Sequence, residues 1–200
     1  MITHRPGFAL GFSLFATLAL GACEEGSHAP RSRPAVPELE EPGDGSPLAP
    51  VGAVVILGGR DEAGDEVAEP EVWSPSGIRT LSGASLVLPY YPRTFLAPDG
   101  RIYYAGELQA TRYLNPAGAG SWTSAGNRRY GNRTYGTAVM YDDGKILYAG
   151  GGRTTNTAEI VDLNAGAPVW QWTGSMAFAR RNHNATILPT GEVLVTGGTQ

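Results

Sequence analysis

Imidazole and thiol are scarce in this chain of 200 residues: His4, His28 and His183, with one cysteine, Cys23. A protein metal site needs several such ligands at workable spacing, and these four are spread along most of the chain. A lone cysteine has no partner for an internal disulfide. Asp142 and Asp143 are adjacent, whereas a general acid–base pair must flank its substrate across a cleft. They read as turn formers. The stretch "GGGRTT" at 150–155 lacks the second spaced glycine and the lysine of a phosphate loop, and reads as a β-turn. No G-x-S-x-G nucleophile elbow occurs. Of the three histidines only His183 lies beyond residue 50. The tyrosines Tyr90, Tyr91, Tyr103, Tyr104, Tyr130 and Tyr135 have rings that either fill a core or stack on sugar rings at its rim.

The elements that position these residues begin well inside the chain. Residues 1–22 read as a secretory signal, with Arg5 ahead of an apolar run at 8–20 that is too short to span a bilayer. The run ends in "LGAC", which resembles a bacterial lipobox and makes Cys23 the expected lipidation site and mature N-terminus. Acyl chains there would anchor the protein to a membrane. Glu24 after the cysteine favours the outer membrane, by resemblance to other lipoproteins. Residues 23–50 then read as the lipidated cysteine and a Pro/Glu-rich disordered tether, which cannot bury enough apolar surface to offset its ordering entropy. The tether holds essentially all of the net charge of −4. The rest of the chain is near neutral, without the basic patch that nucleic-acid binding requires.

From residue 51 to residue 200 the pattern changes. One phrase recurs: "AVVILGGR", "RIYYAGEL", "KILYAGGG" and "EVLVTGGT". Its glycines Gly58, Gly106, Gly150 and Gly197 are 48, 44 and 47 residues apart, and a strand-based period in the forties signals propeller blades. Short strands "TFLAP", "AVMYD" and "ATILP" precede the phrase, across two-residue turns at Asp99-Gly100, Asp143-Gly144 and Thr190-Gly191. The phrase itself is apolar on both faces, as expected of an inner strand covered on each side by a neighbouring sheet. Third strands ("EVWSP", "TRYLNP", "AEIVDL") and fourth strands ("IRTLSG", "SWTSAG", "VWQWTG") follow. The expected strand counts are three, four, four and two. A ring of roughly four to eight blades would be about half present, leaving apolar sheet faces open.

The segments "YPRTFLAPDGRIYYAG", "YGTAVMYDDGKILYAGG", "TNTAEIVDL" and "MAFARRNHNATILPTGEVLVTGG" resemble the Kelch-type β-propeller of the galactose oxidase and glyoxal oxidase family over residues 51–200. The resemblance implies an all-β partial propeller of four-stranded antiparallel blades, about half of a seven-bladed ring. It also implies a family chemistry: oxidation of primary alcohols or aldehydes by oxygen at a copper beside a tyrosine radical cross-linked to cysteine. The radical tyrosine is expected in a segment like "EVYSP", where this chain has Trp73, and no cysteine lies in the domain. The family's remaining copper ligands are expected beyond residue 200. Copper is therefore expected only if that further sequence is supplied, and neither catalytic nor metal-binding residues are assigned within the chain. The family's pocket arginine matches Arg128, with Arg129 and Arg133 as alternatives. An aromatic–histidine pair of the family reads Asn182-His183 here. Arg128 and His183 are the candidate ligand-binding residues, set against a solvated loop charge and a packing histidine.

The expectation is a surface-anchored, non-catalytic propeller fragment that binds a glycan or a protein, in the bacterial cell envelope as an outer-membrane lipoprotein or secreted. The alternatives are an oxidase-like enzyme completed by sequence beyond residue 200, and a truncated remnant without function.

Overall fold

The computed structural model describes residues 52–199. The signal, Cys23 and almost all of the tether lie outside them. All thirteen regular elements are β-strands in four antiparallel sheets, and no helix occurs among the described residues. The first sheet is β1 (Val54–Ile56), β2 (Glu71–Ser74) and β3 (Gly77–Thr80). The second runs β4 (Thr94–Leu96), β5 (Ile102–Tyr104), β6 (Ala110–Asn115) and β7 (Ser121–Asn127). The third runs β8 (Thr137–Asp142), β9 (Lys145–Ala149), β10 (Ala158–Asp162) and β11 (Gln171–Thr173). The fourth is the pair β12 (Arg181–Ile187) and β13 (Val193–Thr199). The three-four-four-two count and the four-stranded blades are as expected.

The repeated phrase forms β5 and β9, each paired on both edges as the second strand of its sheet. Side chains alternate between the two faces of a strand, and here both faces are covered. Ile146 and Tyr148 of β9 pack with Tyr103, Ala105 and Tyr113 of the second sheet. Leu147 and Ala149 pack with Val193 and Val195 of the fourth. Likewise Ile102 and Leu114 meet Val72, Leu81 and Ala84 of the first-sheet segment. Three apolar layers thus separate four sheets stacked face to face, the arrangement of adjacent propeller blades. β12 lies alongside β8, so the third and fourth sheets approach each other at their first strands. A fully buried side chain such as Leu114 contributes about 1.5–3 kcal/mol. The outward residues of the first sheet, Val54, Ile56, Trp73 and Ile78, are exposed.

Polar ties cross the layers where aromatic edges bring a donor inside. Trp170 Nε1 donates to Tyr103 Oη at 2.9 Å, and Trp122 Nε1 donates to the Ala84 carbonyl at 2.8 Å. The hairpins differ from expectation in two sheets. Ala97 pairs with Arg101 and Leu188 with Glu192, with Gly100 N–H on the Ala97 carbonyl and Gly191 N–H on the Leu188 carbonyl. These loops have three residues, Pro98-Asp99-Gly100 and Pro189-Thr190-Gly191, and end on a left-handed glycine (φ 80° in both), a type I turn closed by a bulge. Proline at the first loop position fixes φ for such a turn. Of the three turns expected to have two residues, only Asp143-Gly144 does, with a bulge between Met140 and Asp142.

Candidate functional site

The register that stacks the sheets also aligns their approaches to the first strand. Tyr91, Tyr135 and Asn182 each lie nine residues before a turn glycine, Gly100, Gly144 and Gly191. All three adopt the left-handed backbone, with φ of 55°, 58° and 56°. A non-glycine residue in this region costs about 1–3 kcal/mol and needs its surroundings to hold it there. Around Tyr135 those surroundings are visible. Its carbonyl accepts from Asn182 N–H at 2.9 Å, and the preceding Thr134 carbonyl accepts from Gly152 N–H at 2.9 Å. Arg181 lies over the Tyr135 ring, 4.7 Å from its centroid.

Tyr91 and Tyr135 face one cavity of about 350 Å³. The approach to β4 also supplies Pro89, Tyr90 and Arg93, and the approach to β8 supplies Thr134 and Gly136. Tyr148 of β9 and the carboxylates of Glu66 and Glu107 complete the lining. Arg93 Nη2 donates to the Gly136 carbonyl at 3.3 Å, joining the two approaches. Tyr91 is 81% exposed and Tyr135 53%, so each offers a wide ring surface at the rim. Glu66 and Glu107 take part in no ion pair among the described residues. Tyr148 is buried, donates to the Arg133 carbonyl at 3.1 Å, and has its hydroxyl pKa raised by desolvation. Glycine at 136 is required by closeness: a Cβ there would sit 2.4 Å from Tyr148 Cε1.

The predicted arginines fall into three different places. Arg128 is 1% exposed. Its guanidinium stacks 4.0 Å from the Tyr148 ring centroid and donates to the carbonyls of Leu108 and Ala105. It ties the second sheet to the third behind Tyr148 and does not line the cavity. Burial lowers its pKa, with Tyr148 and Glu159 opposing. Arg133 is fully buried on Glu159, and its Nη1 donates to Gly150 and Thr157 carbonyls at 2.9 and 3.1 Å. Arg129 is exposed, yet its Nε donates to the Trp170 carbonyl at 2.8 Å.

His183 is 4% exposed and neither ring nitrogen has a hydrogen-bond partner. Its ring packs on the Gly150 backbone, where an added Cβ would lie 2.4 Å from Cε1. Burial lowers its pKa, the Ala149 backbone opposes this, and Arg180 and Arg93 add to the lowering. It is not among the cavity-lining residues. Trp73, expected at the radical position, sits on β2, 43% exposed, and lines no part of the cavity.

Among the described residues no group of three or more His, Cys, Asp or Glu is placed to hold a metal ion. The described residues therefore supply no such cluster for a copper ion. Sequence reasoning named the tyrosines as a class without choosing among them, and it missed Arg93, Glu66 and Glu107. The signal that singles out Tyr91 and Tyr135 is their common spacing to the turn glycine.

No known protein-family profile matches the chain, and no curated protein matches it. Among solved structures it is similar to a fungal alcohol oxidase of the AA5 family in complex with copper, with 27% identity and a TM-score of 0.65 over 74% of this chain. It is also similar in fold to YjhT, with 12% identity and a TM-score of 0.59 over 74% of this chain. The chain spans 35% of the oxidase's length and 56% of YjhT's. Both likenesses place the chain in a related β architecture.

Proposed function

We propose that the chain is part of a Kelch-type propeller whose loop face acts as a non-catalytic binding module for a glycan or a protein. The observation that carries this reading is the cavity between the second and third sheets. It holds four tyrosines, two carboxylates outside any ion pair and one arginine in about 350 Å³, within the usual size of small-ligand sites, roughly 300–1,000 Å³. Backbone strain at Tyr91 and Tyr135 supports it, since such strain collects at functional sites. The "LGAC" segment supports attachment to the bacterial cell envelope through Cys23. The test is calorimetric titration of the purified full chain with panels of glycans and of peptides. Saturable binding to either supports the module; peroxide release from alcohols or aldehydes with stoichiometric copper overturns it.

A second reading is favoured by the likeness to the copper-bound alcohol oxidase: an oxidase whose metal site is supplied by sequence beyond residue 200. Copper uptake and peroxide release by a longer gene product, absent from the present chain, is the outcome that reading requires.

A further inference from the structure

We infer that the edge of β1 is a docking edge for the chain's own residues Pro47–Ala49, which complete the first sheet as its first strand. The segment lies outside the described residues, and the repeat identifies it.

The other sheets define the place. The repeated phrase is the second strand of each of them, preceded by β4, β8 or β12. In the first sheet the phrase is β1, whose strand neighbour among the described residues is β2 alone. A strand edge with unpaired backbone groups is a template for a further strand. Between β4 and β5, Ala97 N–H donates to the Arg101 carbonyl and Ala105 N–H to the Arg93 carbonyl. Bonded pairs alternate along an antiparallel ladder, so Phe95–Tyr103 is the bonded pair between them. The same register in the first sheet aims the N–H groups of Ala53 and Val55 away from β2, at the uncovered edge.

Three observations name the occupant. A glycine stands six residues before the phrase glycine in all four repeats: Gly52, Gly100, Gly144 and Gly191. All four are left-handed, with φ of 86°, 80°, 65° and 80°. β1 is thus entered through the turn conformation that joins a first strand to a second in the other sheets. Next, "GSPLAPVG" at 45–52 matches "RTFLAPDG" at 93–100, with Leu48, Ala49, Pro50 and Gly52 in the places of Leu96, Ala97, Pro98 and Gly100. Finally, Gly43 lies nine residues before Gly52, the repeat position at which Tyr91, Tyr135 and Asn182 are left-handed. Glycine adopts that backbone without steric cost.

Packing agrees with the register. Phe95 and Ala97 face the layer between the second and third sheets. Their counterparts Pro47 and Ala49 fall on the side of Val55, which packs in the layer between the first and second. Leu48 falls on the other face opposite Val54, as Leu96, 66% exposed, does opposite Ile102. Pro47 departs from the pattern, since it has no N–H for the Val55 carbonyl, but proline is tolerated as the first residue of a strand. A second copy could offer the same strand. A three-residue hairpin loop favours the chain's own segment, because closing so short a loop costs little entropy and keeps the segment at high effective concentration. The first sheet is then a complete four-stranded blade. Its face with Val54, Trp73 and Ile78 stays exposed, but its β1 edge admits no strand from elsewhere.

The experiment is amide hydrogen exchange, read residue by residue by NMR on the full chain in reducing buffer. Val54 and Ile56, whose N–H groups point at β2, report whether the sheet is folded. Ala49→Asp puts a charge where the counterpart Ala97 is 3% exposed, and Leu48→Asp puts one where Leu96 is open to solvent. Docking predicts that Val55 is protected together with Val54 and Ile56, at any protein concentration. It predicts that Ale49 is the sensitive position: Ala49→Asp abolishes protection at Val55, while Leu48→Asp retains it. Loss of all three amides in Ala49→Asp but not in Leu48→Asp also supports docking, since a residue outside the sheet could not unfold it. Exchange of Val55 at the open-chain rate beside protected Val54 and Ile56 overturns the inference. Protection that fades on dilution assigns the edge to a second copy and overturns it too. Protection that Ala49→Asp leaves intact assigns the edge to another segment, with the same result, and equal loss in the two variants overturns the register.

Discussion

Arg133 Nε donates to Glu159 Oε1 at 2.8 Å, and both side chains are completely shielded from solvent. Glu159 Oε2 accepts from Arg129 N–H at 2.9 Å, and Arg133 spends its remaining donors on Gly150 and Thr157 carbonyls and on Thr157 Oγ1. One ion pair therefore pins the loop before β8, which carries Tyr135, to the third sheet. Removing a single partner strands a buried charge, which costs about 3–5 kcal/mol. Glu159→Ala is expected to lower the unfolding free energy by that amount and to bring down the urea midpoint accordingly. The double variant Arg133→Met, Glu159→Leu is expected to recover much of it. The measurement is equilibrium unfolding of the two variants beside the parent chain.

His183 is expected to make the fold acid-sensitive. Its folded pKa lies below its ordinary value because burial and the nearby Arg180 and Arg93 disfavour the charged form. The unfolded chain then takes up the proton first, so stability is fully present above about pH 6.5 and declines as pH falls below it. His183→Leu is expected to flatten the denaturation midpoint between pH 7.5 and pH 5. A slope that persists unchanged in the variant would assign the effect to other groups. Asp99, whose pKa is lowered by Arg101 against desolvation, acts in the carboxylate range below that window.

Gly136→Ala should destabilise the chain by about 1–3 kcal/mol, the usual cost of overpacking. The new Cβ meets Tyr148 Cε1 at 2.4 Å and the carbonyls of Arg133 and Gly150 at 3.0 Å. A loss of thermal midpoint of several degrees is expected. Tyr148→Ala in the same background should cancel part of the clash, giving a non-additive pair.

Trp170→Phe removes the donor to Tyr103 Oη in a layer where burial already pushes the Tyr103 pKa up to about 12. An unmade buried hydrogen bond costs about 1–3 kcal/mol. Tyr103→Phe in the Trp170→Phe background should cost less than Tyr103→Phe alone. A double-mutant cycle on unfolding free energies checks this.

The strands were legible because their signal is local. After their first residue, "KILYA" and "RIYYA" are apolar at every position, as expected of a strand with both faces covered. The hairpins were half legible. Glycine marked each turn, but a residue before it, Pro98 or Pro189, had joined the loop rather than the strand. The site was less legible because its determinants are tertiary. Arg128, Arg129 and Arg133 are alike in sequence, yet two are buried and one is exposed. What separates them is whether a carbonyl, a ring or Glu159 waits in the next sheet. Tyr91 and Tyr135 were hidden because left-handed backbone is usually announced by glycine or asparagine, and of the three equivalent positions only Asn182 carries that cue.

β9 belongs to two interiors at once, giving Ile146 and Tyr148 to one and Leu147 and Ala149 to the other. Inserting or deleting one residue in it would exchange the two sets, setting a tyrosine against a space shaped for alanine. Such a strand tolerates no change of frame. The connecting loops are free of this constraint, but strands of this kind can be gained or lost only in whole repeats.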